Sequence, residues 1–88
     1  MKARPDTAVP DGPEEVFIDA SGLTCPMPVL KLRMVLSRIK PGGLVKVRTT
    51  DPGARKDFAN FCRATGDHLV RIEDSGKALD FCVRKRSN

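Results

Sequence analysis

The stretch Leu23-Thr24-Cys25-Pro26-Met27-Pro28 constrains this chain more than any other. Proline fits best in the first turn of a helix, because the backbone N–H it lacks would have no intrahelical partner there. Pro26 is therefore read as the first helical residue and Cys25 as the N-cap. Gly22 supplies the turn that leads in from a preceding strand. A thiol at a helix start faces free N–H groups and the positive end of the helix dipole. That setting favours thiolate, the reactive form of cysteine. Pro26 and Pro28 stiffen the first turn and hold the sulfur in place.

The flanking pattern is alternately strand-like and helical. Residues 1–14 contain Pro5, Pro10 and Pro13 with few apolar groups, and are expected to be a disordered leader. Val16-Phe17-Ile18 begins the first strand, and the folded domain is expected to span 15–86. Helix one should run from Pro26 to about Arg38, with Val29, Leu32, Val35, Leu36 and Ile39 as its core stripe. Leu30 and Met34 lie opposite that stripe, either as peripheral packing or as a small exposed apolar patch beside Cys25 where a partner docks. Pro41-Gly42-Gly43 ends the segment.

From Leu44 to Thr50 the chain alternates, with Val45, Val47 and Thr49 on one face and Lys46 and Arg48 on the other. Asp51-Pro52 repeats the helix-start chemistry, with Asp51 as N-cap. Helix two is expected to reach Ala64, with Ala54, Phe58, Phe61 and Cys62 inward and Arg55, Lys56 and Arg63 on a basic side. Gly66 suits the residue after its end. Strand three spans His68 to Glu73, with Val70 and Ile72 on one face and Leu69 on the other. A turn at Asp74-Ser75-Gly76-Lys77 leads to strand four, where Leu79, Phe81 and Val83 oppose Asp80, Cys82 and Arg84. Arg84-Lys85-Arg86 reads as a basic tail.

The order β-α-β-α-β-β implies an α+β fold, a four-stranded mixed sheet with both helices on one face, since crossovers are right-handed. The open face should carry Lys46, Arg48, Arg71 or Glu73, and Arg84. In 88 residues with no Trp or Tyr and four Phe, the core must rest on Val, Leu, Ile and Phe.

Three cysteines at 25, 62 and 82 make an odd count without metal-ligand spacing, so neither a disulfide framework nor a zinc site is expected. Free thiols point to a reducing compartment, and no apolar run reaches the ~18 residues of a membrane span. The chain therefore reads as cytoplasmic. Cys62, on the Phe58 face, reads as a small buried hydrophobe, Cys82 as partly exposed and without a catalytic role, and His68 as structural.

Asp19-Ala-Ser-Gly-Leu-Thr-Cys-Pro-Met-Pro28 resembles the signature of the TusA/SirA-type sulfur-carrier family. Asp51-Pro52, Asp57-x-x-x-Phe61-Cys62 and Gly66 are similar to that family's second-helix pattern, and the likeness covers residues 16–86. It implies a two-layer α/β sandwich and a carrier that takes sulfane sulfur as a persulfide on Cys25. Implied donors are a cysteine desulfurase or a rhodanese-type protein. Implied acceptors are relay proteins leading to tRNA thiolation, molybdenum cofactor assembly or sulfur oxidation. No cofactor is implied. Asp67 stands where the family often has His, and Ser21 where it often has a basic or larger residue.

The competing reading is a small basic nucleic-acid-binding or regulatory module, prompted by the net charge of +5. The chain lacks an aromatic stacking platform, which weighs against it. A thiol redox protein is disfavoured by the missing Cys-x-x-Cys. Arg55, Lys56 and Arg63, with Leu30 and Met34, are the candidate docking residues for a protein partner.

Overall fold

The structure, a computed structural model, describes residues 15–87. The expected leader, 1–14, lies outside them. The elements are β1 (Glu15–Ala20), α1 (Met27–Leu36), β2 (Leu44–Thr49), α2 (Ala54–Thr65), β3 (His68–Asp74) and β4 (Leu79–Arg84). The four strands form one sheet in the order β1-β2-β4-β3. β1 runs parallel to β2, while β4 is antiparallel to both β2 and β3. The fold is thus α+β with a mixed sheet, as the element order implied.

The register lines up the apolar side chains in rows. Val16, Val45, Val83 and Leu69 form one row, and Ile18, Val47, Phe81 and Ile72 the next. Both helices cover this side. Leu32, Leu36 and Ile39 from the α1 segment and Ala54, Phe58 and Cys62 from α2 share one buried cluster with the strand residues. Val29 and Val35 complete the α1 stripe at partial burial.

Strand β3 departs from the expected alternation. Leu69 pairs with Val83 and Arg71 with Cys82, leaving Val70 without a partner. This β-bulge inserts one residue and so turns Leu69 and Ile72 to the same face. Both pack against the core, while Val70 is exposed. Simple alternation would put Val70 on the same face as Ile72.

On the open face, Phe17, Lys46, Cys82 and Arg71 form one row, with Asp19, Arg48, Asp80 and Glu73 beside it. Arg48 grips Asp80 through two hydrogen bonds of 2.9 and 3.1 Å. Glu73 accepts from Arg71 at 2.7 Å and from Lys46 at 3.2 Å. The Lys46–Glu73 pair joins β2 to β3 over the central β4. Cys82 is fully buried beneath this roof, not partly exposed as its outward position suggested. Alternation names the face a residue is on, but the stems of neighbouring Lys and Arg decide whether it sees water.

The basic end of the chain is tied down. Lys85 Nζ donates to the Ile39 carbonyl at 2.7 Å, and Arg84 donates to the Gly42 carbonyl at 2.8 Å. Arg86 reaches the Thr65 carbonyl, and its N–H donates to Asp67 Oδ1 at 2.9 Å. Two of these cations thus meet the carbonyl-rich ends of both helical segments, where positive charge is stabilising.

Candidate functional site

The loop between β1 and α1 is held at both ends before it reaches Cys25. The Ser21 N–H donates to Asp19 Oδ1 at 3.0 Å, and Ser21 keeps the Asp19 carboxyl below the usual carboxylate range. Gly22 adopts φ +80, which glycine takes without a steric cost, and its N–H donates to Thr50 Oγ1 at 2.9 Å. Leu23 tucks against the core. The loop is therefore pinned to the end of β2, and Cys25 projects from it exposed.

Helix α1 begins later than its sequence suggests. Pro26 holds the N-cap position, no side chain caps the helix, and Met27 is the first helical residue. The Cys25–Pro26 peptide is cis. Met27 N–H donates to the Thr24 carbonyl at 2.9 Å and Leu30 N–H to the Pro26 carbonyl at 3.0 Å. Cys25 thus lies one residue outside the cap. Pro28, fully buried, anchors the first turn in the fold.

Helix α2 shows the same shift. Gly53, not Asp51, occupies its N-cap, and the helix starts at Ala54. Asp51 takes part through its backbone, its carbonyl accepting from Ala54 N–H at 3.1 Å. In both helices a single proline precedes the regular turn within a short non-helical lead. Gly66, with φ +85, ends α2 in the left-handed conformation expected of it, its N–H bonded to the Cys62 carbonyl.

Cys25, Pro26, Val29, Asp57, Asn60 and Phe61 line an open depression of about 350 Å³. Here the first turns of α1 and α2 come together. Asp57, with desolvation and the charge of Asp51, pushes the Cys25 thiol above its usual range. The expectation of a thiol lowered by its helix terminus is therefore corrected. The sulfur does not cap α1, and two carboxylates from the α2 side act on it instead.

Sequence reasoning does not single out Asp57, Asn60 and Phe61 as site residues. The spacing i, i+3, i+4 from Asp57 places all three on one helical face. Asp57 and Phe61 also stand in the second-helix pattern of the TusA/SirA-type resemblance, which was the available signal.

Leu30 and Met34 are exposed, and Met27 extends their patch. With Lys31, Arg33 and Ser37 they line a groove of about 410 Å³ on the outer side of α1. The three basic α2 residues do not converge on Cys25. Arg55 pairs with Asp74 at 3.4 Å, Arg63 donates to Asn60 Oδ1 at 3.4 Å, and Lys56 is exposed. Cys62 and Cys82 are buried, and burial pushes the Cys62 thiol up to about 11. Among the described residues no helix is long and apolar enough to cross a membrane.

Residues 16–85 match the sequence model of the family described as Sulfurtransferase TusA. The chain belongs to the TusA family. It is 37% identical over 76 residues to the sulfur carrier protein TusA of Pseudomonas paraeruginosa, covering 86% of this chain and 96% of the relative. It is 38% identical over 68 residues to the sulfur carrier protein TusA of Allochromatium vinosum, covering 77% and 90%. Among solved structures, a SirA-like protein from Desulfitobacterium hafniense matches with a TM-score of 0.72 at 20% identity, covering 81% of this chain and 97% of that one. That last likeness concerns the fold. The TusA region includes Cys25, Asp57 and nearly all of the sheet.

Proposed function

We propose that this chain is a sulfur carrier, accepting sulfane sulfur as a persulfide on Cys25 and relaying it to an acceptor protein. One observation supports the reading above the others. Of three cysteines, only Cys25 is exposed, and it sits at the rim of an open depression where no second thiol stands ready to resolve it. A carrier needs that arrangement, because a nearby thiol would discharge the persulfide into a disulfide. Relatives named as sulfur carriers support the same reading.

Loading is a displacement at the outer sulfur of the donor persulfide. The Cys25 sulfur forms a bond to that atom. The donor's S–S bond breaks, its electron pair leaves with the inner sulfur, and that sulfur takes up the proton Cys25 gives up. Unloading repeats the step with an acceptor thiolate as nucleophile. The donor is a cysteine desulfurase or a rhodanese-type protein, and the acceptor a relay protein of tRNA thiolation, molybdenum cofactor assembly or sulfur oxidation. The groove formed by Met27, Leu30 and Met34 is the face on which the protein donor rests. The exchange takes place in the reducing cytoplasm.

The test is intact-mass measurement after incubation with a cysteine desulfurase and cysteine, or with a rhodanese and thiosulfate. One added sulfur atom is expected, removed by reductant and missing in Cys25→Ser. No added mass with either donor, or equal loading of Cys25→Ser, would overturn the reading.

A further inference from the structure

The cations around α1 are left unmatched, unlike those of the sheet. Lys46 and Arg71 pair with Glu73, Arg48 with Asp80, and Arg55 at the start of α2 with Asp74. From Pro26 to Gly43 the sequence holds Lys31, Arg33, Arg38 and Lys40 and no acid, so most of the net charge of +5 resides in this one segment. Lys31, Arg33 and Arg38 are exposed, and they form no ion pair among the described residues. Between them runs an apolar ridge. Met27, Leu30 and Met34 follow the i, i+3, i+7 spacing of one helical face and line the groove of about 410 Å³.

We propose that this face receives an acidic amphipathic segment of the sulfur-donor protein, with apolar side chains on the Met27–Leu30–Met34 ridge and carboxylates against Lys31, Arg33 and Arg38. The inference rests on the carrier role of Cys25 proposed above. The helical period places Lys31 on one flank of the ridge and Arg33 on the other, and both line the groove. Arg38 follows just past the end of the helix. A segment with one apolar row between two rows of acids matches that order, in the manner of an amphipathic helix laid into a groove. Opposite charges on the two partners speed their encounter and fix the register, while the ridge holds the complex once formed. Met27 stands two residues from Cys25, so a partner seated here lies beside the sulfur.

Other anionic surfaces fit less well. A nucleic acid would use the cations but not the apolar ridge, since its backbone is read by charge. An anionic membrane would use both, yet membrane-lying helices sink a whole apolar face into the lipid. Here the main apolar face of α1, with Leu32 and Leu36, is committed to the core. The outer groove is concave and takes individual side chains. Two of its three apolar residues are methionines, whose flexible thioethers adapt to a partner's side chains.

The experiment measures the initial rate of Cys25 loading in the full chain, by intact mass. Sulfur comes either from the desulfurase or rhodanese used above or from a small-molecule persulfide. The variants are Arg33→Glu, Lys31→Glu with Arg33→Glu, Lys31→Gln with Arg33→Gln, and Lys77→Glu. Lys77 is an exposed cation of the β3–β4 turn, and its reversal changes the net charge as much as that of Arg33. Loading from the protein donor should fall by about tenfold or more in the double Glu variant, within the range of electrostatic steering, and by less in the Gln pair. Raising NaCl from about 0.05 to about 0.5 M should slow the parent and narrow that gap, because exposed charges are screened. Loading from the small persulfide should not change in any variant. Arg33→Glu should lose more than Lys77→Glu. Equal loss in those two, or equal loss with both sulfur sources, would overturn the proposal. So would parent rates in either double variant, the Gln pair serving if the Glu pair does not fold. Co-sedimentation of the parent with phosphatidylglycerol vesicles, lost in the double variant, would also overturn it by giving the face to a membrane. A normal load indifferent to the α1 cations sinks the acidic partner alone. No load in any chain from any source sinks the carrier reading.

Discussion

The ring of Phe58 stacks on that of Phe81, with centroids 4.3 Å apart and planes 15° from parallel. Both side chains are fully buried. Phe58 belongs to α2 and Phe81 to β4, one of the two inner strands, so this contact fixes the helix that carries Asp57 over the middle of the sheet.

Phe58→Ala is therefore expected to be severe. Truncating a buried Phe typically costs about 3–5 kcal/mol through lost transfer energy and the cavity left behind. A domain of this size has few such contacts to spare. Urea unfolding should show a midpoint far below that of the parent, or no cooperative transition. Phe58→Leu should recover part of the loss, and a Phe58→Ala chain as stable as the parent would contradict the stacking as a main contributor.

Reagent selectivity follows from burial. Cys25 is exposed, Cys82 is fully buried, and Cys62 is 6% exposed with its thiol pushed up to about 11. Iodoacetamide on the native protein at pH 8 should add one group, at Cys25, and three only in denaturant. Peptide mapping reads the result. Equal modification of two cysteines in the native state would mean that one buried strand or helix opens far more readily than its packing implies.

Much of this was legible in the residues. The stripe of Leu32, Leu36 and Ile39 and the alternation of Val45, Val47 and Thr49 follow directly from helical and strand periods, and the fold order follows from them. The rest needed three dimensions. Pro26 and Pro52 marked the helix starts only to within one or two residues, since proline tolerates several positions there. The bulge at Val70 left no mark, because nothing in an alternating run shows which residue lacks a partner. Burial of Cys82 depended on Lys46 reaching Glu73 across β4, a consequence of strand order. Asp57 shares a depression with Cys25 only because α1 and α2 lie side by side.

The open face should make the fold sensitive to acid. Arg48 holds the Asp80 carboxyl below the usual carboxylate range, and Arg71 and Lys46 do the same for Glu73. A carboxyl whose folded value is depressed contributes stability that is present above its unfolded value, about 4, and is lost as pH falls through the lower folded one. Urea midpoints should hold steady from pH 7 to about 5 and drop below about 4. Asp80→Asn should flatten that fall and cost about 1 kcal/mol at pH 7, a modest figure because Arg48 is half exposed. An acid limb unchanged in Asp80→Asn would assign the acid sensitivity to other groups.

The outer groove of α1 separates a docking face from the chemistry of the sulfur. Met34 is 55% exposed and Leu30 40%. Neither lines the depression around Cys25, so neither should alter the thiol itself. Leu30→Glu combined with Met34→Glu should leave thermal stability near the parent's, as exposed substitutions usually do. It should leave the rate of loading from a small-molecule persulfide unchanged. Loading from a protein donor should fall by about tenfold or more, the ~1.4 kcal/mol of a modest interface anchor. The two rates, measured side by side by intact mass, distinguish docking from chemistry. Equal loss with both donors would place the effect at Cys25, and no loss with either would remove Leu30 and Met34 from the docking face.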